Sequence, residues 1–69
     1  MKAGDYVYVL DGTHDERMPE GRRDGLVVQI IGKKKDQAIV MFSNKEFLKF
    51  HVMFLEKVAN NFVNLKHKR

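Results

Sequence analysis

The 69-residue chain has no cysteine and no tryptophan. Without thiols it can form neither disulfide staples nor thiolate metal sites, and a reducing, intracellular setting is the natural reading. It also lacks long apolar runs. Met1 is followed by Lys2-Ala3-Gly4-Asp5, with no stretch of signal-peptide length and no window approaching a membrane span. A soluble, cytoplasmic protein with no membrane partner is therefore expected. No internal repeat, low-complexity tract or phosphate-cradling glycine loop is present. A chain this short allows one domain and buries only roughly 60% of the surface its unfolded form exposes. Tight packing, self-association or a bound partner must supply the rest of its stability.

The formal net charge is +4 and the pI about 9.6, which invites a nucleic-acid reading. The distribution weakens it. Lys66, Lys68 and Arg69 lie in the last four residues, and setting them aside leaves +1. The remaining basic residues cluster as Arg22-Arg23 and Lys33-Lys34-Lys35. Asp11, Asp15, Glu16, Glu20 and Asp24 surround the first cluster and partly cancel it.

The punctuation is that of a β protein. Gly4-Asp5 opens Tyr6-Val7-Tyr8-Val9-Leu10, an alternating β-branched and aromatic run that Asp11-Gly12 ends. Thr13 to Asp24 is polar, holds the only proline, Pro19, and reads as a long loop of the kind that often carries function. Gly25 starts Leu26-Val27-Val28-Gln29-Ile30-Ile31, which Gly32 closes. Lys33 to Gln37 forms a charged hairpin connection, and Ala38-Ile39-Val40-Met41-Phe42 makes a third strand ending at Ser43-Asn44. Phe47, Phe50, Phe54 and Val58 fall at helix-like intervals. The preceding strands need partners, however, so a strand at Glu46–Phe50, a helical turn near His51–Phe54 and a strand at Leu55–Val58 are expected. After Ala59-Asn60-Asn61, the segment Phe62-Val63-Asn64-Leu65 is a candidate extra strand that folds back on the domain or pairs with a neighbouring copy, followed by the basic end. The division is thus a barrel over 1–58 and a basic tail or extra strand over 59–69.

Gly4-Asp5-x-Val7-x-Val9, then Asp24-Gly25-x-Val27, Val40-x-Phe42 and a closing Leu55-Glu56-x-Val58 resemble the SH3-like small-barrel superfamily. That superfamily includes KOW domains, Tudor-like domains and the PsaE subunit of photosystem I. The resemblance covers residues 2 to 58 and implies an all-β, five-stranded SH3-like barrel with a long first loop. It points to a fold that hosts many functions. The two-residue strand period then turns Val7, Val9, Val40 and Phe42 inward. Tyr6 and Tyr8 face outward, and Ile39 and Met41 lie on the face opposite the core, either exposed as a protein interface or, the favoured reading, covered by the loops or tail of a highly curved barrel.

For a nucleic-acid footprint the candidates are Arg22, Arg23, Lys33, Lys34 and Lys35 as phosphate contacts, with Lys66, Lys68 and Arg69 from the tail. Tyr6 and Tyr8 are the residues for base stacking, worth about 1–3 kcal/mol per base. In KOW domains the loops between early strands meet RNA, which the resemblance carries to these positions. Here, though, the first loop is long and mixed in sign, where the KOW pattern is short and glycine-tight. The lysine run also serves as a solvated tip that blunts strand edges. The rival reading is protein interaction or self-assembly through the loop Asp11–Asp24, the Ile39 and Met41 face and the tail. A Tudor-like cage would draw on Tyr6, Tyr8 and Phe42, of which Phe42 reads as core.

Catalysis finds no support in the residues. SH3-like type II dihydrofolate reductases carry Val-Gln-Ile-Tyr late in the chain. Val28-Gln29-Ile30 occurs here in the second strand instead, and the late position reads Leu48-Lys49-Phe50-His51. His14, Asp15 and Glu16 are loop neighbours that do not converge as metal ligands do. His51 sits in an aromatic stretch, and Ser43 has no activating context. The sequence therefore reads as a non-catalytic binding module with no cofactor, metal or small-molecule substrate. RNA or DNA is favoured narrowly over a protein or homo-oligomeric partner.

Overall fold

A computed structural model describes residues 1–58. The proposed extra strand and the basic residues Lys66, Lys68 and Arg69 lie outside the described residues. Five strands form one antiparallel sheet: β1 (Tyr6–Val9), β2 (Asp24–Ile31), β3 (Gln37–Met41), β4 (Phe47–His51) and β5 (Leu55–Lys57). A single 3-10 turn, Val52–Phe54, separates β4 from β5, so the aromatic spacing of that region is strand, turn and strand rather than helix. The order across the sheet is β4-β3-β2-β1-β5. The first and last strands are therefore neighbours, with Val7 opposite Lys57 and Val9 opposite Leu55.

One sheet without a helix has only itself to pack against. Its inward residues come from every strand and form one cluster: Val7, Val9, Val27, Ala38, Val40, Leu48, Phe50 and Leu55, with Phe42 just beyond β3. Phe42 and Phe50 meet edge to face, ring centroids 6.1 Å apart. The predicted inward set, Val7, Val9, Val40 and Phe42, is buried throughout. Among the described residues no ladder joins β4 to β5, so the sheet curls around its core with two free edges.

A β-bulge makes the longest strand serve this core. Val27 pairs with Val40, but the next partnered residue is Gln29 with Ile39, which leaves Val28 extra. That one residue turns Gln29 to solvent and lets Ile30 pack on the core, although Val27 and Ile30 are an odd number of residues apart. Gly25 is required by proximity. A Cβ placed there would lie 2.5 Å from Val40 Cγ1 and 2.8 Å from the Met41 carbonyl oxygen, where β3 crosses it. The β2–β3 connection turns at Gly32 (φ 95°) and Lys35 (φ 55°), the Lys35 N–H donating to the Gly32 carbonyl at 3.0 Å. At the end of β4 the His51 imidazole Nδ1 accepts from the Met53 N–H at 3.1 Å and starts the 3-10 turn.

Ile39 and Met41 are half-buried, nearer the covered reading than the exposed one, because each lies between neighbours in register, Gln29 and Lys49 for Ile39, Leu26 and Phe47 for Met41. The first loop is also packed into the fold. Met18, its one large aliphatic side chain, is buried in the core cluster, and Asn44 Nδ2 donates to the Arg17 carbonyl at 3.0 Å.

Gly25→Ala should destabilise the domain by about 1–3 kcal/mol through overpacking against β3. Urea unfolding followed by circular dichroism tests this; an unchanged midpoint would mean β3 gives way freely there.

Candidate functional site

The residues singled out as candidates fall into two separated groups. Tyr6 and Tyr8 face outward on β1, directly opposite Leu26 and Asp24 of β2. Arg22 and Arg23 precede that same end of β2. Lys33, Lys34 and Lys35 lie beyond its other end, and seven residues of strand at about 3.3 Å each separate the two ends by about 23 Å. The tyrosines and the lysine run do not share a surface.

Arg23 turns inward. Its Nε donates to the Val9 carbonyl at 2.9 Å, and its Nη2 donates to the carbonyls of Leu10, at 2.7 Å, and Thr13. The Val9 N–H in turn donates to the Arg23 carbonyl at 2.7 Å. The planar guanidinium fork thereby closes the base of the long loop against the end of β1, a task a point-like ammonium does less well. Asp11 lies 3.6 Å away and balances the charge. Arg23 is thus placed as a loop clamp, with its donors directed at the protein's own backbone.

Arg22 is also engaged. It grips Asp24 with both nitrogens, Nε to Oδ1 and Nη2 to Oδ2, each at 3.1 Å, while the Tyr6 hydroxyl donates to the same Oδ2. The Arg22 guanidinium, and then the Tyr6 hydroxyl, hold the Asp24 carboxyl down at about 2, well under the usual carboxylate range. The same carboxylate raises the Tyr6 phenol above its ordinary value. The result fixes the Tyr6 ring on the outer face. Tyr8, the other outward tyrosine, walls a cleft of about 640 Å³ lined also by Met18, Pro19 and Gly21 of the loop. Glu16 and Glu20, neither of which makes an ion pair among the described residues, line this cleft as well. Arg22, Arg23 and His14 line it too, so the cleft is mixed in charge, with both guanidiniums already engaged by Asp24 and by backbone carbonyls.

A feature that the candidate list missed lies across the outer face. Tyr6 pairs with Leu26, Leu26 with Met41 and Met41 with Phe47, so four large side chains form one row over β1, β2, β3 and β4. Its ends are the most open, Tyr6 at 42% and Phe47 at 57% exposure. A groove of about 270 Å³ runs between Tyr6, Leu26 and Met41, with Gly25 and Phe42 beneath and Asp24 and Ser43 at the rim. The signal for Phe47 was present: Leu48 and Phe50 alternate inward, so Phe47, three residues before Phe50, must point out. Met53 and Phe54 of the 3-10 turn are exposed too. Phe42 is core, which removes it from any aromatic cage. Among the described residues no group of three or more His, Cys, Asp or Glu side chains is placed to hold a metal ion, and no helix is long and apolar enough to cross a membrane.

Two outcomes follow from this geometry. Arg23→Lys should cost about 1.5–3 kcal/mol of unfolding free energy, because it keeps the charge but loses the fork to the loop carbonyls; chemical denaturation reads it, and a change within error would reduce the clamp to a surface contact. Spectrophotometric titration should show a tyrosine ionising above the ordinary phenol range, and this late step should vanish in Tyr6→Phe and move down in Asp24→Asn. Because the Asp24 pKa is depressed in the folded state, its contribution to stability is complete above about pH 4, the unfolded value, and is lost as pH falls through about 2. No family model, curated protein or solved structure matches the chain.

Proposed function

We propose that this chain is a non-catalytic protein-interaction module of the SH3-like small-barrel type. The strand order β4-β3-β2-β1-β5, with a 3-10 turn leading into β5, supports the fold assignment. The observation that carries the function is the outward row Tyr6–Leu26–Met41–Phe47. An antiparallel sheet with one face on the core normally presents polar residues on the other. A contiguous apolar row there is the signature of a binding surface. The charge pattern agrees with this reading. Four of the basic side chains of the described residues, Arg17, Arg22, Arg23 and Lys57, are ion-paired to Asp15, Asp24, Asp11 and Asp5. A cytoplasmic location fits the absence of cysteine.

Nucleic-acid binding is the second reading, supported by Lys33, Lys34 and Lys35. All three are exposed at the β2–β3 turn and make no ion pair among the described residues. Fluorescence anisotropy of the full chain against single-stranded RNA, single-stranded DNA and duplex DNA separates the two. The protein reading expects binding confined to low salt and removed when the three lysines become glutamine, since the contacts would be phosphate only. Micromolar affinity that persists at near-physiological salt and falls on Tyr8→Ala would overturn it in favour of base stacking.

A further inference from the structure

The protein-interaction reading leaves open what kind of partner the outer row takes, and the row's own dimensions bear on that. It crosses three interstrand spacings of about 4.8 Å, so it is about 14 Å long and one side chain wide. Association of two folded domains commonly buries about 800 Å² on each partner. The row lies on the convex side of a sheet curled around its core, where a second copy would touch along a line. A short extended segment can follow such a surface.

The groove beside Tyr6 gives that segment an anchor point. It is lined by Tyr6, Leu26, Met41 and Gly25, with Asp24 and Ser43 as its polar members, so it suits one large aliphatic or aromatic side chain. One wall is rigid and the other is adaptable. The Tyr6 ring is pinned through its hydroxyl to Asp24, which Arg22 holds in two places. Met41 is unbranched and can fit its side chain to the guest. A wall already held in its bound position reduces the ordering cost of association.

Charge sets the other half of the specificity. At the groove the Asp24 carboxylate is neutralised by Arg22. At the far end of the row, Lys49 is exposed on the same face of β4 as Phe47 and makes no ion pair among the described residues. It lies one strand spacing beyond Met41 and two residues along from Phe47, about 12 Å from Leu26, which an extended chain covers in three to four residues.

We propose that the row Tyr6–Leu26–Met41–Phe47 docks a short extended segment of another protein. The segment inserts one large apolar side chain into the groove beside Tyr6, runs diagonally past Met41 alongside Phe47, and places a carboxylate three to four residues away against Lys49. The inference rests on the protein-interaction reading and narrows it to this face.

Panning a phage-displayed library of random linear peptides on the immobilised full chain tests it. Enriched sequences should share an aromatic or large aliphatic residue with Asp or Glu three to four positions away. A labelled synthetic peptide of that sequence should bind in fluorescence anisotropy, and Phe47→Lys and Met41→Lys should each weaken it by about tenfold or more. Phe47 is exposed, so its replacement leaves the core intact and keeps the test valid if Met41→Lys unfolds. Lys49→Glu should weaken binding, and a peptide with lysine in place of its acidic residue should recover it. Peptides that bind Phe47→Lys and wild type equally, and are lost on Glu20→Lys, would overturn this face in favour of the loop cleft while leaving the protein-interaction reading standing. A dimer in sedimentation velocity that Phe47→Lys dissociates would give the row to a second copy and overturn the proposal. No enrichment, together with salt-resistant nucleic-acid binding, would overturn both.

Discussion

The whole structure follows from a sheet that must serve as its own packing partner. Among the described residues no α-helix packs on the sheet, so its inner apolar face has little but itself and the loop side chain of Met18 to be set against. The face therefore has to curl until its two ends approach each other. The pairing of β1 with both β2 and β5, the bulge at Val28 and the side-chain-free crossing at Gly25 are the local devices that permit this curvature. Curling also produces a convex exterior. Side chains on it spread apart, so a row of large residues there stays open to solvent instead of closing over itself.

The long first loop is the second consequence. A curled sheet leaves a gap at the end of its core, and Met18 enters it from the loop. To deliver that side chain the loop has to leave β1 and return to β2 in a set shape. Arg23 holds the two departures together through the carbonyls of Val9, Leu10 and Thr13. Half of the arginine pair that suggests a phosphate site is thus an internal brace, and the other half, Arg22, orients Asp24 and the Tyr6 ring. A cation counted in a sequence has no fixed direction. The same two residues that raise the apparent charge of the surface are, in the folded chain, directed at backbone oxygens and a carboxylate.

Much of the fold was legible because the signals were local. The strand runs, the turn residues and the strand–turn–strand order of the Phe47–Val58 region all lie where their residue patterns put them. So do the inward Val7, Val9, Val40 and Phe42. What was not legible depended on register and on distant partners. The bulge at Val28 has no mark in its residue type. Met18 sits among polar neighbours and reads as loop, although its burial is what orders that loop. The outer row needs the alignment of four strands before Tyr6, Leu26, Met41 and Phe47 become neighbours, and no single strand reveals it. For Ile39 and Met41 the strand period gave the face, while the source of their partial cover, side chains in register on adjacent strands, needed the pairing.

The β1–β5 pairing has a consequence in time. Val7 and Lys57 stand opposite each other although the chain between them is almost the entire described domain, whereas β2, β3 and β4 are joined in order by short turns. Contacts between near neighbours along the chain form at little loop-closure entropy, and contacts between its ends form at the greatest. The three-stranded meander is therefore the natural nucleus, and β1 joins it across the long loop. The strand synthesised first acquires its second neighbour last. Until β5 emerges, β1 presents a free hydrogen-bonding edge with Val7 and Val9 incompletely covered. With Leu55–Lys57 in place, β1 is paired along both of its edges.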